Sequence, residues 1–243
     1  MSDSNETRAD PGGYFSDAYF SIYSRYIHRP AQTLLETDFV LSALDLKKGD
    51  ALLDLACGFG RHLRIFVRRG ICVVGLDQAL PYLQHAAESL PARMRISPPL
   101  VRADMSRLPF GEKSFKAVVC LFNSFGYADG PGPEKEHQKI LSETGRVLKP
   151  GGCLFLKIPG RRAVADLVRS HPQTLQCGPG FFIHEMWDYD RGKQILFNWT
   201  TFEKDSKTST ASYRIRLYSL TELKTMLRRA GMLLGVHLAL LYG

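Results

Sequence analysis

Short, nearly continuous apolar runs alternate along this chain with longer stretches of helical periodicity. The runs at residues 51–55, 71–76, 100–103, 117–122 and 153–158 read as strands, and their lack of a polar alternation predicts burial on both faces. Between them the 3.6-residue period predicts helices over 31–44, 61–69, about 80–90, and 134–147. Pro98 and Pro99 punctuate the approach to the third strand, and Pro159-Gly160 closes the fifth. Strand and helix in alternation predict an α/β fold: a doubly wound, mostly parallel sheet with helices on both faces.

That rhythm breaks after Gly160. Residues 181–189, 194–202 and 208–217 carry a β period, separated by the turn sequences Asp190-Arg191-Gly192 and Asp205-Ser206-Lys207. They predict an antiparallel insertion over the carboxyl-terminal edge of the main sheet, where ligands bind in open α/β folds. Ser219 with Glu222 has the form of a capping box and starts a helix to Ala230, after which 232–240 reads as a strand. The expected organisation is a helical cap segment at 1–48, a cofactor-binding core at 49–160, the insertion at 161–218, and a completing helix and strand at 219–243.

The first strand runs directly into Ala56-Cys57-Gly58-Phe59-Gly60-Arg61. Gly58 and Gly60 let the backbone approach a ligand closely, and amides at the following helix start suit a carboxylate or other anion. A leucine, Leu63, stands where the dinucleotide fingerprint has its third glycine, and no Lys-Ser or Lys-Thr follows, which excludes the phosphate-cradling P-loop. Asp77 closes the second strand 23 positions after Asp54, in place to accept hydrogen bonds from both hydroxyls of a ribose.

Together these residues resemble the class I S-adenosylmethionine-dependent methyltransferases, from about Tyr19 onward. The glycine run looks like the first motif of that family, Asp77 like its ribose-binding acid, and Asp104-Met105 like its adenine-binding third motif. Residues 115–127 look like the fourth motif, and Val147-Leu148-Lys149-Pro150-Gly151-Gly152 like the turn before strand five. The resemblance implies a Rossmann-like core binding S-adenosyl-L-methionine and releasing S-adenosyl-L-homocysteine. Its cofactor residues would be Tyr23, Asp54, Ala56, Gly58, Gly60, Arg61, Asp77, Gln78, Asp104, Met105, Leu121 and Phe122. Of these, Asp54 and the carbonyls of Leu121 and Phe122 would hold the methionine ammonium. Arg61 would pair with the cofactor carboxylate or else join an exposed basic face. The fold also implies one further antiparallel strand, for which no residues follow Gly243, so that strand is expected to be missing.

On the acceptor side, Asn123, Ser124 and Tyr127 follow the fourth strand and do not form the Asn/Asp-Pro-Pro-Tyr pattern of enzymes that methylate base amines. Tyr19, Tyr23 and Tyr26 share one face if their segment is helical, and would close over the site. In the insertion, alternation puts Glu185, Trp187 and Tyr189 on one side of the sheet and His184 with Asp188 on the other. Tyr19, Asn123, Tyr127 and His184 are the catalytic candidates, with His184 as the general base; His62 has no second ligand spaced near it, so no metal is expected.

Composition narrows this reading little. The 243 residues carry a formal charge of +8, which suits RNA, an acidic small substrate or a solvated basic surface. The arginines fall in pairs with no basic tail, so a small-molecule acceptor is favoured over RNA or protein, with an inactive binding protein as a further alternative. Five widely spaced cysteines predict free thiols, several of them in core strands. The first eighteen residues are polar and no run is long enough to span a bilayer, which predicts a cytoplasmic protein, as monomer or homodimer.

Overall fold

The apolar runs become the strands they predict, because a segment apolar on both faces is covered only inside a sheet. The computed structural model describes residues 30–90, 98–127, 132–204 and 207–235. In chain order the helices are α1 (Pro30–Ala43), α2 (Leu63–Arg68), α3 (Leu80–Ser89), α4 (Glu134–Val147), α5 (Arg161–Arg169) and α6 (Leu220–Arg229). The strands are β1 (Ala51–Leu55), β2 (Cys72–Asp77), β3 (Leu100–Arg102), β4 (Phe115–Cys120), β5 (Leu148–Leu156), β6 (Gln173–Gly178), β7 (Phe181–Asp190), β8 (Ile195–Lys204) and β9 (Lys207–Arg216).

These elements belong to two units. The first comprises the described residues up to Phe125 with 134–158 and 219–235; the second comprises 126–133 and 159–218, again as described. In the first unit the strands pair in parallel in the order β3-β2-β1-β4-β5. The order reverses between β1 and β4, the switch point at which open α/β sheets bind ligands. Leu52, Leu63, Phe66, Val73 and Val119 form its core, each almost wholly buried and each stabilising the fold by about 2 kcal/mol. Near β5 the Pro150-Gly151-Gly152 turn is absorbed as a register shift, so the strand begins directly after α4 instead of at residue 153.

Several boundaries move for identifiable reasons. The glycine turn delays α2 to Leu63, and Asp77 lies inside β2 instead of just beyond it. β4 ends at Cys120 because Phe122 and Asn123 both take left-handed backbone, with φ of 58° and 62°. Ser219 and Glu222 form the expected capping box on α6. Residues 232–235 form no strand, and 236–240 lie outside the described residues.

The second unit is a four-stranded antiparallel sheet, β6-β7-β8-β9. The β period identifies β7, β8 and β9, but α5 and β6 are additions that the sequence reading passes over. Register pairs Ile183 with Phe202, Glu185 with Thr200, Trp187 with Asn198 and Tyr189 with Leu196, so these residues share one face. Beneath α5 that face buries Leu196 and Ile215 against Val164 and Leu217. The opposite face carries Phe182, His184, Met186, Phe197 and Trp199, with Met186 and Trp199 exposed.

All five cysteines are free: Cys57 and Cys120 are buried, whereas Cys72, Cys153 and Cys177 are exposed, so fewer lie in the core than their strand positions suggest. Among the described residues no helix is long and apolar enough to cross a membrane.

Candidate functional site

The carboxyl ends of β1, β2 and β4 meet around the glycine turn. Asp54 sits one residue before the end of β1, in register with Gly75 on β2 and Val119 on β4, and is 2% exposed. Its Oδ2 is buried without a hydrogen-bond partner. Burial, reinforced by the nearby Asp77 charge and opposed by Arg61, pushes its carboxyl up to about 7. A second orphan, Asn123 Oδ1, lies just past the end of β4. Buried acceptors of this kind carry a desolvation cost that a ligand's N–H groups would relieve.

The turn itself is braced from β2. Asp77 Oδ2 accepts from the Gly58 amide at 2.8 Å and Oδ1 from the Ala79 amide at 2.9 Å. Burial raises the Asp77 carboxyl, and these backbone donors hold against it. Gly60 has φ of 75°, and a Cβ there would stand 3.1 Å from that of Ala86 on α3, so both conformation and space require glycine. The Gly60 amide donates to Cys57 O at 3.0 Å. Both glycine amides are therefore engaged within the protein, and the turn is held in shape by them.

Arg61 corrects one of its two expected places, the exposed basic face. It is 7% exposed, not part of a solvated basic face, and it reaches Glu36 Oε2 and Thr33 Oγ1 on α1, each at 3.4 Å. Its guanidinium lies over the Phe122 ring, 4.2 Å from the centroid. Glu36, which the sequence reading missed, is the hub: it also accepts from His62 Nε2 at 2.8 Å and Lys157 Nζ at 2.9 Å. Burial works to raise the Glu36 carboxyl, but the His62 and Lys157 hydrogen bonds and the Lys157 and Arg61 charges bring it down to about 2. Burial takes His62 down to about 4, so the neutral ring carries its proton on Nε2 and donates it to Glu36. An acidic residue on the buried side of a predicted helix was the available signal.

The other candidates divide between the units. Ala56 is left-handed at φ of 59°, and Gln78 is exposed at the end of β2 with its carbonyl accepting from Arg102 Nε at 3.2 Å. Asp104 is exposed and accepts from the Ser106 amide at 2.8 Å, with Met105 half-buried beside it. Leu121 is buried, its carbonyl accepting from Ser124 Oγ at 3.1 Å, while the Phe122 side chain is exposed.

In the second unit Tyr127 bridges to Ile215, and its ring packs at a tilt on Tyr213 with centroids 5.4 Å apart. His184 is on the opposite face of that sheet from Tyr213, with its ring nitrogens 3.0 Å from Thr174 Oγ1 and 3.4 Å from Glu203 Oε2. The fold thus separates Tyr127 from His184. Tyr19, Tyr23 and Tyr26 lie outside the described residues, among which no cluster of three or more His, Cys, Asp or Glu is suited to a metal.

Comparison with known proteins agrees with this arrangement. Residues 52–152 match a family model described as a methyltransferase domain. A demethylmenaquinone methyltransferase from Thermobifida fusca (strain YX) is 32% identical over 123 residues, 49% of this chain and 49% of that protein. The dTDP-3-amino-3,4,6-trideoxy-alpha-D-glucopyranose N,N-dimethyltransferase of Streptomyces venezuelae is 32% identical over 110 residues, covering 45% and 43%. The chain spans about half the length of the curated relatives it matches. The sugar N-methyltransferase KedS8 from Streptoalloteichus sp ATCC 53650 has the same fold, with a TM-score of 0.68 at 20% identity over 95% of this chain and 90% of that one. The parallel sheet and the matched core sequence thus make residues 52–152 similar to a methyltransferase domain, in a chain with the fold of solved S-adenosylmethionine-dependent methyltransferases.

Proposed function

We propose that this chain transfers a methyl group from S-adenosylmethionine to a nitrogen or oxygen of a small-molecule acceptor. The observation that carries the reading is the pair of orphaned acceptors, Asp54 Oδ2 and Asn123 Oδ1, at the ends of neighbouring strands on either side of the switch point. An amino-acid ammonium offers N–H donors and a positive charge, and so matches both the unmet hydrogen bonds and the uncompensated Asp54 carboxylate. The Leu121 and Phe122 carbonyls add acceptors there. Asp77 and Gln78 serve the ribose, and Asp104 with the Met105 amide serves the adenine. Arg61 takes the cofactor carboxylate, since its 3.4 Å contacts to Glu36 and Thr33 are long enough to leave donors in reserve.

Bound there, S-adenosylmethionine supplies a methyl group already activated on a sulfonium. The protein's part is to align the acceptor behind that methyl and exclude water. Transfer would exchange the C–S bond for a C–N or C–O bond to the acceptor, whose proton would pass to solvent or a nearby base. The names of the two curated relatives, one a demethylmenaquinone and the other an amino-sugar enzyme, support a small acceptor.

Calorimetric titration tests the cofactor assignment. S-adenosylmethionine and S-adenosylhomocysteine are expected to bind in the micromolar range, about 8 kcal/mol. Binding of neither would refute it. Transfer of labelled methyl to small amines and hydroxyls, and not to RNA, tests the acceptor class.

A further inference from the structure

The face of the four-stranded sheet turned away from α5 carries an aromatic surface that the methyl-transfer reading does not use. On it β8 presents Phe197 and Trp199, whose rings lie nearly parallel, 11° apart in plane with centroids 5.7 Å apart. Met186 stands directly across from Trp199 on β7, and the two residues are 48% and 36% exposed. Large apolar side chains grouped on a surface in this way mark a place where something docks.

Charge flanks this aromatic column with opposite signs on its two sides. Asp188 pairs in register with Phe197 from β7 and Arg214 pairs with it from β9, so acid, ring and base form one rung across three strands. Both ends of the rung are exposed, and among the described residues neither makes an ion pair. Two strand spacings, about 10 Å, separate them within one copy.

We propose that this face is the contact between two copies of this chain, packed sheet on sheet. A two-fold axis running along β8, between the facing sheets, lays β7 of one copy over β9 of the other and β8 over itself. Asp188 then meets Arg214 of the partner subunit, Arg214 meets Asp188 of the partner subunit, and Phe197 and Trp199 pack on their own counterparts. The rung is its own complement, as a two-fold contact requires and an unrelated partner does not. Aligned sheets cross at about 30°, so rows diverge away from the centre at Phe197 and Trp199. Glu203, four residues beyond Trp199, is thereby carried clear of its counterpart and stays with His184 Nε2, 3.4 Å away. Such pairing is independent of methyl transfer.

The face is large enough. β7, β8 and β9 have ten residues each, about 34 Å, and four strands span about 19 Å. Two copies therefore bury at most about 1,300 Å² together, above the roughly 1,000 Å² that a specific interface needs. Sedimentation equilibrium of the full chain over about 1 to 100 µM is expected to show a reversible dimer. Arg214→Asp and Asp188→Arg each set like charges opposite one another across the axis, and each is expected to weaken association at least about tenfold. The double variant Asp188→Arg/Arg214→Asp restores opposite charges and is expected to recover it.

A monomer throughout that range would overturn the proposal and leave the face to a different protein or to solvent. So would a dimer that both single variants leave intact, or a double variant that associates no better than either single one. Circular dichroism checks that the variants fold. If they do not, the parent chain decides: its two tryptophans give two indole N–H signals in a 15N-labelled sample, assigned with Trp199→Phe. Dilution through the transition is expected to move the Trp199 signal and leave that of Trp187 in place. Equal shifts at both, or none at Trp199, would put the contact elsewhere and refute it.

Discussion

Glu36→Gln replaces a buried carboxylate with an amide of nearly the same shape and leaves Arg61 and Lys157 without their counter-charge. In the parent protein that carboxylate, 4% exposed, lies 2.9 Å from Lys157 Nζ and 3.4 Å from Arg61 Nη2. Removing one partner of a buried ion pair costs about 3–5 kcal/mol. Lys157, at 16% exposure, can recover some hydration, which places the expected loss near the lower end, about 3 kcal/mol. Urea unfolding followed by fluorescence measures it, and a loss below about 1 kcal/mol would refute the hub.

The same variant has a pH signature. His62 is held near 4, below its ordinary 6.5, so between those values the unfolded chain binds a proton that the folded protein refuses, and stability falls as pH drops from 6.5 to 4. Glu36 is held near 2, below its ordinary 4.5, so stability falls again as pH drops from 4.5 to 2. Glutamine does not titrate, and the second loss is expected to shrink in the variant. An unchanged acid limb would show that Glu36 does not carry it.

Other outcomes follow from single contacts. With Asp54 raised to about 7, an ammonium-bearing ligand must displace its proton, so S-adenosylhomocysteine is expected to bind about tenfold more tightly at pH 8 than at pH 6, and Asp54→Asn to flatten that profile in calorimetry. Asp77→Ala removes two backbone braces as well as the proposed ribose acid; it should abolish micromolar binding and lower stability by about 1–3 kcal/mol in urea unfolding. At Gly145, a Cβ would come within 2.4 Å of the Ala230 carbonyl, so Gly145→Ala must push α4 and α6 apart, costing about 1–3 kcal/mol; an unchanged unfolding midpoint would contradict that packing. Ser219→Ala should cost about 1 kcal/mol through loss of the capping box, measured the same way.

The sequence by itself determined whatever depends on neighbours along the chain. Apolar runs located five parallel strands, the α/β rhythm set the fold class, and Ser219 with Glu222 marked a helix start, because period and capping are local properties. Strict alternation placed Glu185 and Trp187 opposite His184 before any partner strand was known. The α5 and β6 elements escaped because 161–178 is polar and only one face of α5 packs on the sheet.

Only the tertiary structure decided which charges meet. Glu36 pairs with residues 25, 26 and 121 positions away, and that convergence buries Arg61, for which the local pattern also allowed an exposed basic face. Likewise the glycine turn is braced from a distance, its Gly58 amide donating to an acid 19 residues on. His171 acquired its place beside Glu185 and Trp187 through packing of the segment after α5. A sequence period specifies which face of an element is buried, but the partner across that face, and hence the protonation and the unmet hydrogen bonds of a site, depends on where distant segments come to rest.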